Sequence, residues 1–292
     1  MKVSSLDSTY FSDKSWNERV IEWQDDESAA TKPNPFLDGN LRVIRQILND
    51  DETGLRMVIN IGADALLKFL DTGEYKNIYE NPVIGGTARQ PSKERIEVDD
   101  LLGFSGGAKN YYFGAAALGG TGVRFYGEYC MVIREQRVHD DTQLLDRDSF
   151  DLLLPPLVTN DKTKRHQIAN YLKGKWGEDL VEMLIMKMLP NLRGARHLIT
   201  VGHVSELVMS DQEFVEIHLE NTIRWTDLEE IRQSPDEVAI ESNIVSRKRN
   251  WQSPSLVEIR WVQQRHKVQS ALNEAGLRYR IVTLHGKGYQ WR

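Results

Sequence analysis

Short β-rich runs and helical segments interleave along this chain without a strict strand–helix–strand rhythm. The runs over 56–61, 111–117, 127–133 and 214–219 are rich in β-branched and aromatic residues or alternate apolar with polar positions, which is typical of strands. A regular βαβ alternation would favour a parallel sheet, whereas this irregular order favours an α+β fold. The sequence therefore predicts an α+β domain around a mixed sheet.

The longest helical pattern lies over 161–189. Its apolar positions recur at spacings of three and four, and Gly174 and Gly177 are expected to divide it into two helices. We predict a further helix over 263–274, a strand over 277–284, a helical turn over 226–231 and alternating strand character at Val257, Ile259 and Trp261.

The first 40 residues resemble a polar, acidic leader preceding a domain over 41–292. Trp16, Val20 and Trp23 within the leader are spaced to form a short docking helix. The helical stretch at about 161–190 is expected to be an insertion in the main domain.

Charge is distributed unevenly over the 292 residues. The net charge is −6, but residues 246–292 carry ten Lys/Arg against two acids, giving +8 for this tail and −14 for the rest. Aromatic residues interleave with the tail's cations, a composition that favours contact with single-stranded nucleic acid. The tail's apolar residues equally suit a core, and its cations could dock on the chain's own acidic stretch over 203–242, so these alternatives stay open.

Several classes of function lack support in the sequence. A single cysteine, Cys130, excludes an internal disulfide and a cysteine metal cluster and favours a reducing cytoplasm; no apolar run is long enough for a membrane helix. The seven histidines show no metal-ligand spacing, so no metal is expected.

Ser149 lacks the G-x-S-x-G context of a hydrolase nucleophile. The Gly-rich run over 119–122 reads as a turn, since neither a P-loop nor a dinucleotide fingerprint surrounds it.

Glu216 and His218 occupy alternate positions of an apolar strand pattern. This spacing puts both side chains on one face, with Val215, Ile217 and Leu219 on the other. A charged residue in such a strand is most often solvent-facing. The sequence alone leaves open whether Glu216 is a surface acid or a functional one.

The order of several segments resembles that of bacterial ADP-ribosyltransferase-like toxin domains. The resemblance covers about residues 56–232 and implies an ADP-ribosyltransferase-like split mixed sheet with a helical insertion. Two departures leave the class of modified residue open: Asn81-Pro82-Val83 replaces a Ser-Thr-Ser strand, and Phe214 lies where the arginine-modifying branch has an acid or amide. The segments that carry the resemblance are 59–80, 112–114, 122–133, 145–149, 214–219 and 223–231.

The resemblance implies that the chain transfers ADP-ribose from NAD⁺. Glu216 would then be the carboxylate that stabilises an oxocarbenium-like transition state. The acceptor would be a protein or a nucleic acid, and a toxin of this class would have a neutralising antitoxin as partner. Two alternatives stay open, an NAD⁺ glycohydrolase on the same fold and a non-catalytic nucleic-acid-binding module.

The cofactor-binding residues follow from residue type and position within that resemblance. Arg56, and after it Arg124, would bind the diphosphate, because a guanidinium matches phosphate oxygens. Tyr79, Tyr112 and Gly114 would hold the nicotinamide, although packing in the core is an equally good explanation of each tyrosine.

Overall fold

A mixed β-sheet surrounded by helices forms the body of the protein in the computed structural model. The structure describes residues 14–30, 32–50, 54–77, 92–104, 108–118, 120–125, 127–154, 157, 160–209, 214–251 and 253–286. The helices are α1 (Trp16–Ser28), α2 (Leu37–Leu48), α3 (Ala63–Thr72), α4 (Lys93–Leu102), α5 (Lys162–Leu172), α6 (Trp176–Leu192), α7 (Val201–Val208), α8 (Pro235–Arg249) and α9 (Leu256–Glu274). The strands are β1 (Leu55–Ile61), β2 (Tyr111–Leu118), β3 (Gly122–Val123), β4 (Tyr129–Ile133), β5 (Gln143–Leu145), β6 (Lys173–Lys175), β7 (Glu216–Glu220), β8 (Leu228–Gln233), β9 (Arg278–Ile281) and β10 (Leu284–His285).

Eight of the strands make one sheet in the order β6-β5-β7-β2-β1-β4-β8-β9. All neighbours are antiparallel except β8 and β9, which run parallel. A separate parallel pair joins β3 to β10. The predicted α+β class and the mixed sheet are therefore confirmed.

Cross-strand pairing gives the sheet two different faces, because directly paired residues point to the same side. Val58 pairs with Ala115, and Ala115 pairs with Glu216, so alternate residues of β1, β2 and β7 share one face. We call this the polar face, and the opposite side, with Met57, Tyr112 and Met131, the apolar face. The polar face carries Arg56, Asn60, Gln143, Glu216, His218, Glu230 and Arg232.

The helices cover the sheet in groups. Helices α1, α2 and α7 each pack on α6, and the buried Trp16 donates its indole N–H to the Lys173 carbonyl at 2.8 Å. Helices α4 and α5 form a second small core with Leu145 of β5. Helix α9 packs on α3 and α8. No helix within the described ranges combines the length and apolarity needed to cross a membrane.

The N-terminal docking helix and the break at Gly174 are confirmed. Helix α1 buries Trp16 and Val20 against the body, so residues 16–28 belong to the packed helical group. Between α5 and α6 the chain forms β6, where a side chain on Gly174 would meet the Met183 sulfur at 2.6 Å. The stretch expected as a helical insertion thus contributes an edge strand to the sheet.

Two sequence predictions were wrong. The alternation at Val257, Ile259 and Trp261 belongs to α9, a helix begun by a capping box between Ser255 and Glu258. The helical turn expected over 226–231 is a 3₁₀ turn at Trp225–Asp227 followed by β8. Glu230 lies fully buried in that strand, where Arg232 of the same strand and Arg278 and Arg280 from a distant segment bind it.

The described part of the basic tail belongs to the fold. Arg278 and Arg280 of β9 bind the buried Glu230 on β8 at 3.4 Å each, and Arg232 binds it at 2.6 Å. Trp261 is buried, whereas Trp251 is 97% exposed. Of the alternatives, the described cations of β9 therefore dock on the chain's own acidic stretch.

Candidate active site

Glu216 opens β7, the strand between β2 and β5. It pairs with Ala115 on one side and Leu145 on the other, so its side chain projects from the polar face, with a strand on either side. Val215, Ile217 and Leu219 are buried on the other side of the strand, which confirms the predicted alternation. Glu216 is 6% exposed, so the solvent-facing alternative is wrong.

Both carboxylate oxygens of Glu216 accept a hydrogen bond. The backbone N–H of Ser149 donates to Oε2 at 3.0 Å. His218 Nε2 lies 2.7 Å from Oε1. Two N–H donors hold the carboxylate in one orientation, and such charge-assisted bonds are the stronger kind.

His218 is held by Gln143 on the neighbouring strand. The Gln143 side-chain amide nitrogen lies 3.2 Å from His218 Nδ1, and the two residues are a direct cross-strand pair. An amide NH₂ can only donate, so Nδ1 accepts and the imidazole carries its proton on Nε2, facing Glu216. Gln143 therefore fixes the tautomer that lets His218 donate to the carboxylate.

Aromatic rings surround the imidazole and exclude water from it. The rings of Phe104 and Phe113 both meet His218 edge-on with centroids 5.2 Å away. His218 is 1% exposed. A dry environment strengthens the electrostatic effect of Glu216 on any neighbouring charge.

Arg95 of α4 supports the Ser149 end of the cluster. Its Nη1 donates to Ser149 Oγ at 3.3 Å, its Nε donates to Asp99 at 2.7 Å, and its guanidinium lies 4.1 Å over the Phe113 ring. The hydroxyl of Ser149 thus contacts a cation and not the imidazole. This geometry gives no support to a serine nucleophile.

Arg56 shares the polar face with Glu216 but lies two strands away. Two interstrand spacings correspond to about 10 Å. The guanidinium binds Glu229 at 3.3 Å and Glu135 at 3.8 Å, and 14% of its side chain is exposed. Arg56 thus lies toward the β4 and β8 side of this face.

Arg124 and Tyr112, two of the other predicted cofactor residues, have their described contacts with residues other than Glu216. Arg124 binds Asp236 at 2.8 Å and the Gly286 carbonyl. Tyr112 is on the apolar face, where its ring packs against Tyr75 with centroids 5.8 Å apart.

Gly114 has a role in strand packing. Gly114 allows β1 and β2 to pack closely, since a Cβ there would lie 2.7 Å from the Val58 carbonyl oxygen. Tyr79 lies outside the described residues.

Sequence reasoning missed several residues that surround Glu216 and His218 because they are far away in the chain. Gln143 and Ser149 are 75 and 67 residues from the residues they bind. Arg95, Phe104 and Phe113 were missed for the same reason. The one local signal was the two-residue spacing of Glu216 and His218.

No group of three or more potential metal ligands occurs in the described part of the chain. Cys130 is fully buried, as predicted, and burial raises the pKa of its thiol to about 11. A thiol that stays protonated in the core is a poor nucleophile.

The chain was compared with protein families, curated proteins and solved structures, and none of the three comparisons gave a match.

Proposed function

We propose that this protein transfers ADP-ribose from NAD⁺ to a macromolecular acceptor, with Glu216 as the catalytic carboxylate. The observation that supports the proposal most strongly is the state of that carboxylate: it is 6% exposed and held by two N–H donors on the polar face. An acid with no role beyond solubility is normally exposed to solvent and does not have both carboxylate oxygens bound by protein N–H groups.

The reaction needs one fixed negative charge. Cleavage of the bond between nicotinamide and ribose develops positive charge on the ribose ring, as in glycoside cleavage. A carboxylate already oriented against that ring stabilises the transition state more than the ground state. Nicotinamide leaves as a neutral molecule, so no general acid is required.

His218 and Ser149 would keep the Glu216 carboxylate fixed while substrate binds. Each donates to a different oxygen, which restrains both the position and the rotation of the group. Catalytic groups lose effectiveness when they shift by about 1 Å, so this restraint is itself a contribution to rate.

Arg56 remains the proposed cation for the diphosphate. It shares the polar face with Glu216, and Glu135 and Glu229, its carboxylate partners among the described residues, lie near the surface, with side chains 63% and 37% exposed. Exposed ion pairs contribute little free energy, so a phosphate could replace these carboxylates with a small loss of stability. For Tyr112 and Arg124 the observed contacts offer no comparable support.

We propose an ADP-ribosyltransferase-like arrangement of the fold on the same basis. The mixed sheet, the position of Glu216 at the start of a strand with neighbours on both sides, and β8 after it are in keeping with the order of segments that suggested the family. A toxin of this kind would need a neutralising protein in the cell that makes it.

The proposal is tested with labelled NAD⁺ and a cell extract, followed by nuclease or protease digestion. We expect label in macromolecules from the wild type, and a loss of about 10³-fold for Glu216→Gln, the usual scale for removing one charge-stabilising group. Glu220→Gln, at the exposed far end of β7, is the matched control and should retain activity.

The outcomes separate the alternatives. Loss of label with nuclease or with protease identifies the acceptor as nucleic acid or protein. Free ADP-ribose without labelled macromolecules would indicate an NAD⁺ glycohydrolase. Absence of NAD⁺ cleavage by the folded wild-type protein would contradict both enzymatic activities.

A further inference from the structure

Helices α8 and α9 form an antiparallel hairpin against the apolar face of the sheet. Arg247 binds Glu258 close to the turn between the helices, and Arg265 binds Glu241 farther along, so the two helices run in opposite directions. The helices share a small hydrophobic core made by Ile244, Trp261 and Val262. Glu216 lies on the opposite face of the sheet, so the end of this hairpin is separate from the candidate active site. We call residues 247–260 the hairpin tip.

Trp251 in the hairpin tip has a side chain that the fold does not use. It directly follows the C-cap residue of α8, and 97% of its surface is exposed. Its φ is 60°, in the left-handed region where glycine is favoured and a side chain is disfavoured. Its backbone N–H donates to the Lys248 carbonyl at 3.3 Å, a bond that glycine would make equally well. Packing and backbone geometry therefore give no reason for an indole at this position.

The hairpin tip also carries cations that are available to a partner. Residues 247–260 contain four Lys/Arg and one acid, which gives a net charge of +3 (4 − 1). The acid, Glu258, is already bound to Arg247. Lys248, Arg249 and Arg260 are exposed and have no ion pair within the described ranges. By contrast, the arginines of β9 bind a buried acid of the chain itself.

The residues around the indole are polar. Asn250 precedes Trp251 and Ser253 follows it, and both are exposed. Their side chains offer hydrogen-bond donors and acceptors of the kind that contact sugar and phosphate oxygens. Entry of the turn into lipid acyl chains would instead take these polar groups out of water without a partner, which is unfavourable. The surface therefore suits a polar, anionic polymer better than a membrane.

We propose that the hairpin tip binds single-stranded nucleic acid. One base would stack on Trp251, and phosphates would lie at Lys248, Arg249 and Arg260. An exposed ring next to exposed cations is the combination by which proteins bind single strands without a sequence preference, because every base has a face for stacking. In a duplex the neighbouring base pairs cover these faces, so the free indole favours a single strand.

Fluorescence anisotropy of the full-length protein with labelled oligo(U) and oligo(dT) of about 15 nucleotides tests the proposal. We expect a Kd of about 1–100 μM near physiological salt. Three phosphate contacts should give a slope of log K against log salt concentration of about −2, since each contributes about −0.7 on a single strand. A blunt duplex of the same length should bind more weakly than either single strand.

Two substitutions of Trp251 separate binding from folding. Trp251→Ala should weaken binding at least about 10-fold, the scale of one lost stacking contact, and Trp251→Phe should retain most of the affinity. Trp251→Gly should weaken binding as much as Trp251→Ala, yet its melting temperature should be equal to or higher than that of the wild type, because glycine adopts the positive φ without strain. Trp225→Ala, at another exposed indole, is the matched control and should leave binding unchanged.

The cations are tested by the salt dependence. The double variant Lys248→Ala/Arg249→Ala should reduce the magnitude of the slope by about 1.4, because two phosphate contacts are lost. Arg42→Ala/Arg196→Ala removes two exposed cations from the region of α2 and α6 and should leave the slope unchanged.

Three results would overturn the proposal: no binding of either oligonucleotide with the protein at several hundred micromolar; affinity that both Trp251→Gly and the Lys248/Arg249 double variant leave unchanged; or a duplex bound as tightly as the single strand. Sedimentation with phosphatidylserine vesicles in place of oligonucleotide binding would assign the surface to a membrane instead. Glu216→Gln should bind the oligonucleotides as the wild type does, so the result is independent of NAD⁺ cleavage.

Discussion

Two polar regions of this protein differ in how their buried groups are paired. Around Glu216, the carboxylate, the imidazole and the Gln143 amide bind one another in a continuous chain. Where the apolar face of β8 meets helices α8 and α9, the buried Gln233 amide and one nitrogen of Arg265 have no hydrogen-bond partner in the described part of the protein. Burial of polar groups therefore has a different energetic consequence in each region, because only a group without a partner carries an uncompensated cost of desolvation.

The strongest test of the comparison removes the centre of the completed cluster. Glu216→Ala leaves the Ser149 N–H and the His218 Nε2–H buried without an acceptor, so the free energy of unfolding should fall by about 3 kcal/mol. Urea denaturation followed by circular dichroism measures it, with Glu220→Ala as the exposed control on the same strand. A change below about 0.5 kcal/mol, the scale of an ordinary surface substitution, would show that the cluster is not a structural unit.

The same substitution in the two regions should have opposite effects. Gln143→Leu removes the donor to His218 and should destabilise the protein by about 1 kcal/mol. Gln233→Leu replaces a buried amide, which has no partner among the described residues, with an apolar group and should stabilise the protein by about 1 kcal/mol. Thermal unfolding of both variants in one buffer checks the pair; destabilisation by both would mean that Gln233 already has a partner.

The smallest expected effect concerns Glu128, because burial destabilises the ionised form of its carboxyl group. Burial raises the pKa of this carboxyl, and Glu237 adds to the rise, while N–H groups of Glu128 and Ala63 and the charge of Arg265 oppose it. Because the pKa is higher in the folded state, protonated Glu128 contributes to stability at pH values below its unfolded-state pKa of about 4.5. This contribution is lost as the pH rises through the folded-state pKa.

Glu128→Gln should therefore raise the melting temperature at pH 7 by a few degrees or less, and this gain should shrink toward pH 4. Differential scanning fluorimetry over that range follows the change. A gain that is constant with pH would show that ionisation of Glu128 has no part in it.

The sequence predicted those parts of the fold that depend on neighbouring residues. The alternation in β7, the docking helix with Trp16 and the break at Gly174 each follow from spacing or from a single residue type. Strand β6 was missed because Lys173-Gly174-Lys175 has no apolar alternation and becomes a strand only by pairing with β5.

The parts that failed depend on distant partners. In the sequence, Glu230 resembles a residue of a helix or of the surface, because its partners Arg278 and Arg280 are far away in the chain. In the same way, Glu216 could be singled out from the sequence, but its contact with Ser149 could not, because no local pattern connects residues 67 positions apart.

The last strand of the sheet has a consequence for how the protein is made. Strand β9 lies at the sheet edge, and its Arg280 reaches Glu230 across 50 residues of chain. During synthesis, β8 therefore leaves the ribosome with an open edge and a partly neutralised acid well before β9 follows. A nascent chain in that state has a template for pairing with other chains. A premature stop before Arg278 would remove two of the three arginines that bind Glu230 and leave the edge of β8 unpaired, so we expect the truncated chain to be less stable and more prone to aggregation.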